Sequence, residues 1–379
     1  MRCLLAVTIC LSASLALATA SPLAQVRGTA PGAATGGVSA SATLPAAPAP
    51  APAAAVSADA GSAGQAFVAH DVTLDVAGGT LRGTELVPAD DAKVPVVLLH
   101  AGSGPTDRNG NSIALPGANN ALKLLAEGLA ARGIASVRYD KRLIAASTAP
   151  QWTEEGLRFD DYVADAVAWL KRLRADARFT RVVMAGHSEG ALIAALACKQ
   201  AAVDGCVLIA GSGRNIDELL NEQLRPHLSS TLYEQHTRIM SSLKQGMPVA
   251  QVPPELLMLY RPSVQPYLIS SLKHEPRIAI AVLDMPVLIV QGTSDIQVGV
   301  SDARALSAAQ PAAKLVLVDG MNHLLKMVGN DRALQVKSYG SADLPVAPQL
   351  VAALGDFVQA LPAPSKAAAA AAASAASAK

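Results

Sequence analysis

Between Val94 and Leu361 the chain alternates two kinds of pattern. Short β-branched apolar runs, all but one of which end in glycine, read as strands, the signature of a buried parallel sheet: "VPVVLLHAGSG" from Val94, "IASVRYD" (134–140), "RVVMAG" (181–186), "GCVLIAG" (205–211), "MPVLIVQG" (285–292) and "AKLVLVDG" (313–320). Between them lie runs with helical spacing. "ALKLLAEGLAARG" (121–133) stops at Gly133, a natural C-cap, and "FDDYVADAVAWLKRLRAD" (159–176) carries acids in its first turn, where the helix dipole favours them. "ALIAALACKQ" (191–200) and a closing stretch near Pro348–Leu361 complete the helices. Strands alternating with helices predict right-handed βαβ units and a mostly parallel sheet, an α/β fold. Upstream, "AHDVTLDVAGGTLRGTELVP" predicts a hairpin turning at Gly78-Gly79, an antiparallel edge to that sheet.

The alternation is interrupted at about 212–283. Leu219, Leu220, Leu224 and Leu228, then Leu256, Leu257 and Tyr260, recur at helical spacing, and Pro253-Pro254, Pro262 and Pro276 break the run into short helices. An insertion between two strands of one sheet is expected to project from the domain, as a helical cap over the strand ends.

Composition narrows the picture at both ends. Arg2, an apolar run from Leu4 to Leu17 and Ala18-Thr19-Ala20 predict a signal peptide over residues 1–20, hence an exported protein, periplasmic or secreted. Residues 21–65, rich in Ala, Pro, Gly and Ser, lack the large apolar side chains that offset chain entropy and read as a disordered linker; the Ala-rich tail at 363–379 reads similarly. The folded domain is then 66–362. No later stretch has about 18 uninterrupted apolar residues, so no transmembrane span is expected. Lys plus Arg (31) balances Asp plus Glu (30), which leaves no basic footprint for nucleic acid. Cys198 and Cys206 allow either a disulfide, in an oxidising compartment, or two buried thiols.

Candidate chemistry begins at Gly186-His187-Ser188-Glu189-Gly190, a polar triplet between two glycines where a strand passes into a helix. A serine needs exposure, orientation and a neighbouring base to act as a nucleophile. A sharp strand-to-helix elbow exposes the hydroxyl, and flanking glycines avoid a clash there. The base and acid should follow in the order Asp or Glu, then His. Of the histidines after Ser188, only His323 lies beyond the strand "MPVLIVQG", on the loop "VDGMNHLL" at a strand's C-terminal end. Asp295 follows "LIVQGTS" and could orient His323; Asp302 and Asp319 are alternatives. An oxyanion hole requires the N–H of Glu189 and one from the loop "HAGSGPTDRNGN" (100–111), with Gly102 the first choice and Ser103 next. Asp107 and Arg108 read as a salt-bridged brace of that loop.

With Gly102–Asn111 reading G-S-G-P-x-D-R-x-G-N and Gly186–Gly190 reading G-H-S-E-G, the chain resembles the α/β-hydrolase superfamily and is most similar to a bacterial serine-esterase branch of it. "GIASVRYDKR", "FDDYVADAVAWL" and "VQGTSDIQV" extend the likeness over about His70–Leu361. The resemblance implies carboxylesterase activity on small to medium ester substrates through an acyl-enzyme on Ser188, with Asp295 and His323 matching the family's other triad members. It further implies a helical lid and no cofactor. One departure stands out: after Tyr139-Asp140-Lys141-Arg142 the branch usually continues with Gly and a small residue, and this chain has Leu143-Ile144. Thioesterase or peptidase chemistry on the same triad, or an exported binding protein on an inactive scaffold, are the rival readings.

Overall fold

The computed structural model describes residues 66–90 and 92–362. The expected signal peptide, linker and tail lie outside the described residues. Eight strands form one sheet: β1 (Phe67–Val76), β2 (Gly79–Pro88), β3 (Val94–His100), β4 (Ala135–Tyr139), β5 (Phe179–His187), β6 (Gly205–Ile209), β7 (Val287–Gly292) and β8 (Lys314–Val318). Their order is β1-β2-β4-β3-β5-β6-β7-β8. The strands from β3 to β8 pair in parallel, and β2 joins the sheet antiparallel to β4, with β1 antiparallel outside it.

Each central strand serves two cores, because successive side chains point to opposite faces. Val96 and Leu98 of β3, Val182 and Met184 of β5, and Val287 and Ile289 of β7 pack on one side; Val97, Leu99, Val183, Ala185, Leu288 and Val290 pack on the other. That is why these segments read as unbroken apolar runs. The first core is closed by α2 (Phe159–Arg174) and α3 (Glu189–Gln200), through Tyr162, Trp169, Leu170 and Ile193. The second is closed by α1 (Ala121–Ala130) and by a helix over Pro348–Ala360, through Leu122, Leu125, Leu129, Leu350 and Leu354.

Two details differ from the sequence reading. The hairpin turns at Ala77-Gly78 rather than Gly78-Gly79: Val76 pairs with Gly79, and Gly78 takes the positive φ of 81°. Gly79 begins β2, and it is a glycine for want of room: a Cβ there would come within 2.7 Å of Ala149 and 2.8 Å of Trp152. The second difference concerns the insertion. Five helices connect β6 to β7: α4 (Ile216–Leu224), α5 (Ser230–Lys244), α6 (Leu257–Tyr260), α7 (Gln265–Ser271) and α8 (Pro276–Ala281). Their buried face does not form a core of its own: Leu220, Leu243, Tyr260, Leu268 and Ile280 lie in the same core as α2 and α3. The Ser270 hydroxyl accepts the N–H of Phe159 (2.7 Å), and Arg261 pairs with Glu154. The prolines act as starters here: Pro254 and Pro262 open 3₁₀ turns and Pro276 opens α8, positions where the missing N–H costs nothing. Cys198 and Cys206 are both free and buried.

The run Tyr139-Asp140-Lys141-Arg142 leaves β4 and is buried throughout. Arg142 forms a two-pronged pair with Asp165 of α2, Nε to Oδ2 at 2.6 Å and Nη2 to Oδ1 at 2.7 Å, with the Asp165 side chain 1 % exposed. Removing one partner strands the other charge in the core. Asp165→Ala should therefore destabilise the protein by about 3–5 kcal/mol. A fall in the urea midpoint at unchanged slope would show it, and an unaltered midpoint would contradict the pair's role.

Candidate active site

Ser188 is the single residue between β5 and α3, with φ 56° and ψ −122°, so the strand becomes a helix within one residue. Its N–H donates to Ile209 O (2.9 Å) and its carbonyl accepts from Ala191 N (2.9 Å), which fixes the turn from both sides. The flanking glycines have no room for a side chain. A Cβ on Gly186 would lie 1.8 Å from Gly190 O, and one on Gly190 would lie 2.7 Å from the carbonyl oxygens of both His100 and Ala101.

The loops after β7 and β8 bring Asp295 and His323 to this serine. His323 Nε2 accepts from the Ser188 hydroxyl at 3.0 Å, and His323 Nδ1 donates to Asp295 Oδ2 at 2.8 Å. The Asp295 side chain is wholly buried, yet four donors serve it. Besides His323, Oδ2 accepts from Gln291 Nε2 (3.1 Å), and Oδ1 accepts the N–H groups of Gln297 (2.8 Å) and Val298 (3.0 Å). Burial pushes this carboxyl up, but the His323 ring and the two backbone N–H groups outweigh it and hold Asp295 below the usual carboxylate range. An ionised Asp295 fixes the tautomer that leaves Nε2 free to take the serine proton.

The two alternative acids are elsewhere. Asp302 is paired with Arg214 (2.9 Å), accepts from Gly213 N (3.1 Å) and Gly299 N (3.3 Å), and starts the helix α9 (Val300–Ala309). Asp319 is exposed and accepts from Thr293 Oγ1 (2.8 Å). Neither has a hydrogen bond to His323.

The oxyanion candidates also meet at the elbow. Glu189 opens α3, so its N–H has no upstream carbonyl within the helix. Gly102 packs against the turn so closely that a Cβ there would sit 3.1 Å from Ser188 Cβ and 3.3 Å from His187 O. The loop around it is braced as a unit. Asp107 Oδ1 accepts the N–H groups of Asn109 (2.8 Å) and Asn111 (2.9 Å). Arg108 clamps Asp140 through Nε (3.1 Å) and Nη2 (2.8 Å), so the loop's ion pair reaches across to the end of β4.

Two further residues belong to this neighbourhood, which the sequence reading names only as members of motifs and to which it gives no role. His187 Nε2 donates to His323 O at 2.7 Å, tying the elbow to the loop that carries the base. Burial, with the nearby His323, lowers its pKa to about 3, so it is a neutral donor. Lys141, 1 % exposed, donates to the carbonyls of Gly102 and Gly104. Among the described residues no cluster of three or more His, Cys, Asp or Glu could hold a metal ion, and no helix is long and apolar enough to cross a membrane.

The family described as serine aminopeptidase, S33, matches residues 118–327. Esterase EstD of Thermotoga maritima is 28% identical over 269 residues, 69% of this chain and 61% of that protein, so the match spans under two thirds of the relative's length. Among solved structures, Est1E from Butyrivibrio proteoclasticus with ferulic acid bound has 17% identity and a TM-score of 0.48, covering 75% of this chain and 99% of that one. The esterase Pf2001 from Pyrococcus furiosus has 16% identity and a TM-score of 0.47, covering 78% and 93%.

Replacing Asp295 by Asn keeps the size but lets the ring adopt the wrong tautomer. Asp295→Asn should lower the turnover of any Ser188-dependent reaction by about 10⁴-fold, at a thermal midpoint near that of the parent. A folded variant within tenfold of the parent would remove Asp295 from the site.

Proposed function

The chain belongs to the serine aminopeptidase, S33, family of α/β hydrolases, and from that premise we propose that it is a serine hydrolase that cleaves carboxylic esters of small to medium size. The observation that carries the reading is the hydrogen-bonded series from Ser188 through His323 to Asp295 at a strained strand-to-helix turn. In this reading Ser188 Oγ attacks the ester carbonyl while His323 Nε2 takes its proton. The oxyanion rests on N–H groups from Glu189 and from the Gly102 loop. His323 then protonates the leaving alcohol, and water attacks the acyl-enzyme with His323 again as base. Asp295, kept ionised by its donors, steadies the imidazolium in both halves. No step calls for a cofactor.

The helices between β6 and β7 are the natural lid. Tyr267 of α7 stands beside the Glu189 carboxyl, which places that helix next to the elbow. The family description favours a second reading, amide hydrolysis at an amino-terminal residue, by the same nucleophile. Esters remain the first choice because the relative from Thermotoga maritima is named an esterase. Export belongs to the proposal too, on the strength of Arg2, the apolar run to Leu17 and the Ala18-Thr19-Ala20 site.

The deciding assay sets p-nitrophenyl acetate, butyrate and octanoate beside aminoacyl p-nitroanilides and an acyl thioester. The parent should hydrolyse the esters fastest, and Ser188→Ala should lose about 10⁶-fold in turnover along with fluorophosphonate labelling. Faster cleavage of the anilides or thioester would move the assignment to that class, and an unlabelled, inert parent would leave a binding protein. The mature protein recovered after secretion should begin at Ser21, and an intact Met1 would rule out cleavage.

A further inference from the structure

Among the described residues Lys141 is one of the largest fully buried side chains, and none of their carboxylates lies within salt-bridge distance of it. Its neighbours to either side differ in this respect: Asp140 is clamped by Arg108 and Arg142 by Asp165. Lys141 instead spends its ammonium on two backbone carbonyls, Gly102 O and Gly104 O (3.0 Å), in the loop that lies against Ser188. A buried cation costs several kcal/mol of desolvation, more than a loop tie needs.

We propose that Lys141 is the positioning residue of the oxyanion hole, pinning the carbonyls of Gly102 and Gly104 so that the loop presents its N–H groups to the developing oxyanion at Ser188. The peptide unit supplies the mechanism. It is planar and trans, so the carbonyl of Gly102 and the N–H of Ser103 point in opposite directions. Holding the first towards Lys141 sets the second on the far side. The carbonyl of Gly104 precedes Pro105, which has no N–H, so that second bond serves as anchor alone. Two anchors on one ammonium prevent the glycine-rich segment from rotating its peptide planes, a freedom glycine otherwise keeps.

The charges facing Lys141 come from several elements. Glu189 of α3 attracts it, and the Tyr162 ring of α2 lies 5.4 Å from Nζ. His100 of β3 and His187 of β5 are both neutral, held near 3 by burial first. Tyr267 of α7 stands beyond Glu189. Burial lowers the lysine to about 8, with Glu189 opposing. Below that pH the ammonium keeps its charge-assisted grip; above it the grip weakens. An alkaline limb in turnover is the expected signature.

The inference rests on the esterase reading, and the test separates the two. The full chain, Lys141→Met and Lys141→Arg are assayed on p-nitrophenyl butyrate from pH 6 to 10, with circular dichroism and fluorophosphonate labelling alongside. Lys141→Met should stay folded and lose about 10²–10³-fold in kcat with KM within about threefold, the size of one lost oxyanion donor. The parent's kcat should fall above about pH 8. Lys141→Arg should recover at least a tenth of parental kcat and stay level to pH 10. A folded Lys141→Met within threefold of parental kcat, a loss confined to KM, or a parental profile level to pH 10 would overturn the proposal. If Lys141→Met does not fold, the parental profile and Lys141→Arg decide. A parent that neither labels nor turns over would sink the esterase reading itself.

Discussion

The backbone must pass from strand to helix at one residue, and the surroundings of the site follow from that demand. Ser188 sits at φ 56°, a region that costs a non-glycine residue about 1–3 kcal/mol. It stays there because its neighbours allow nothing else. Gly186 and Gly190 pack backbone against backbone, and β3 and β6 flank β5 on both sides. The N–H of Ser188 is claimed by Ile209 of β6. A strained nucleophile held by a sheet centre is oriented through its backbone, which leaves the hydroxyl to donate to His323.

The other loops at the strand ends meet a different constraint: they carry charges into a dry place. Asp140 after β4 meets Arg108 of the loop after β3. Arg142 meets Asp165 of α2, and Arg214 after β6 meets Asp302 at the start of α9. Buried pairs of this kind add little net stability, because desolvation offsets most of their attraction. Their effect is geometric. A guanidinium fork meeting a carboxylate fixes both direction and distance. Each pair joins the exit of one strand to another element, and together they hold the rim of the sheet on which Asp295, His323 and the Gly102 loop must stay in register.

What the sequence made legible follows from the same physics. Strands buried on two faces announce themselves as apolar runs, and the elbow shows because two glycines frame a polar triplet. The order of Ser188, Asp295 and His323 could be read, although Asp302 and Asp319 also follow strands and only the fold separates them. Less legible was whatever depends on partners far along the chain. Lys141 binds carbonyls, which every residue possesses, so no pattern marks it. The insertion's apolar spacing could be read, but not that its buried face merges with the core of α2 and α3. The helix over Arg332–Ser338, begun by Asp331 accepting the N–H groups of Ala333 and Leu334, has too few apolar positions to show a period.

The loop that follows Arg142 can be understood on these terms. Leu143 has φ 68° and Ala145 φ 46°, so the loop keeps the left-handed backbone that glycine would take at no cost. An L-residue there loses about 1–2 kcal/mol. The conformation is held by Leu143 N to Ser147 O (2.9 Å), Ile144 N to Lys141 O (3.0 Å) and Ala146 N to Asp140 Oδ2 (3.2 Å). In return, the half-buried leucine packs against the core that holds α2 and α3, and glycine would bring no side chain there. Fully burying a leucine is worth about 1.5–3 kcal/mol, so a partial burial lies in the same range as the strain. The two nearly cancel. Leucine at this place is thus compatible with the turn that sends Lys141 towards the carbonyls of Gly102 and Gly104, since the ion pairs on either side of that lysine and the hydrogen bonds of the loop set the path of the backbone.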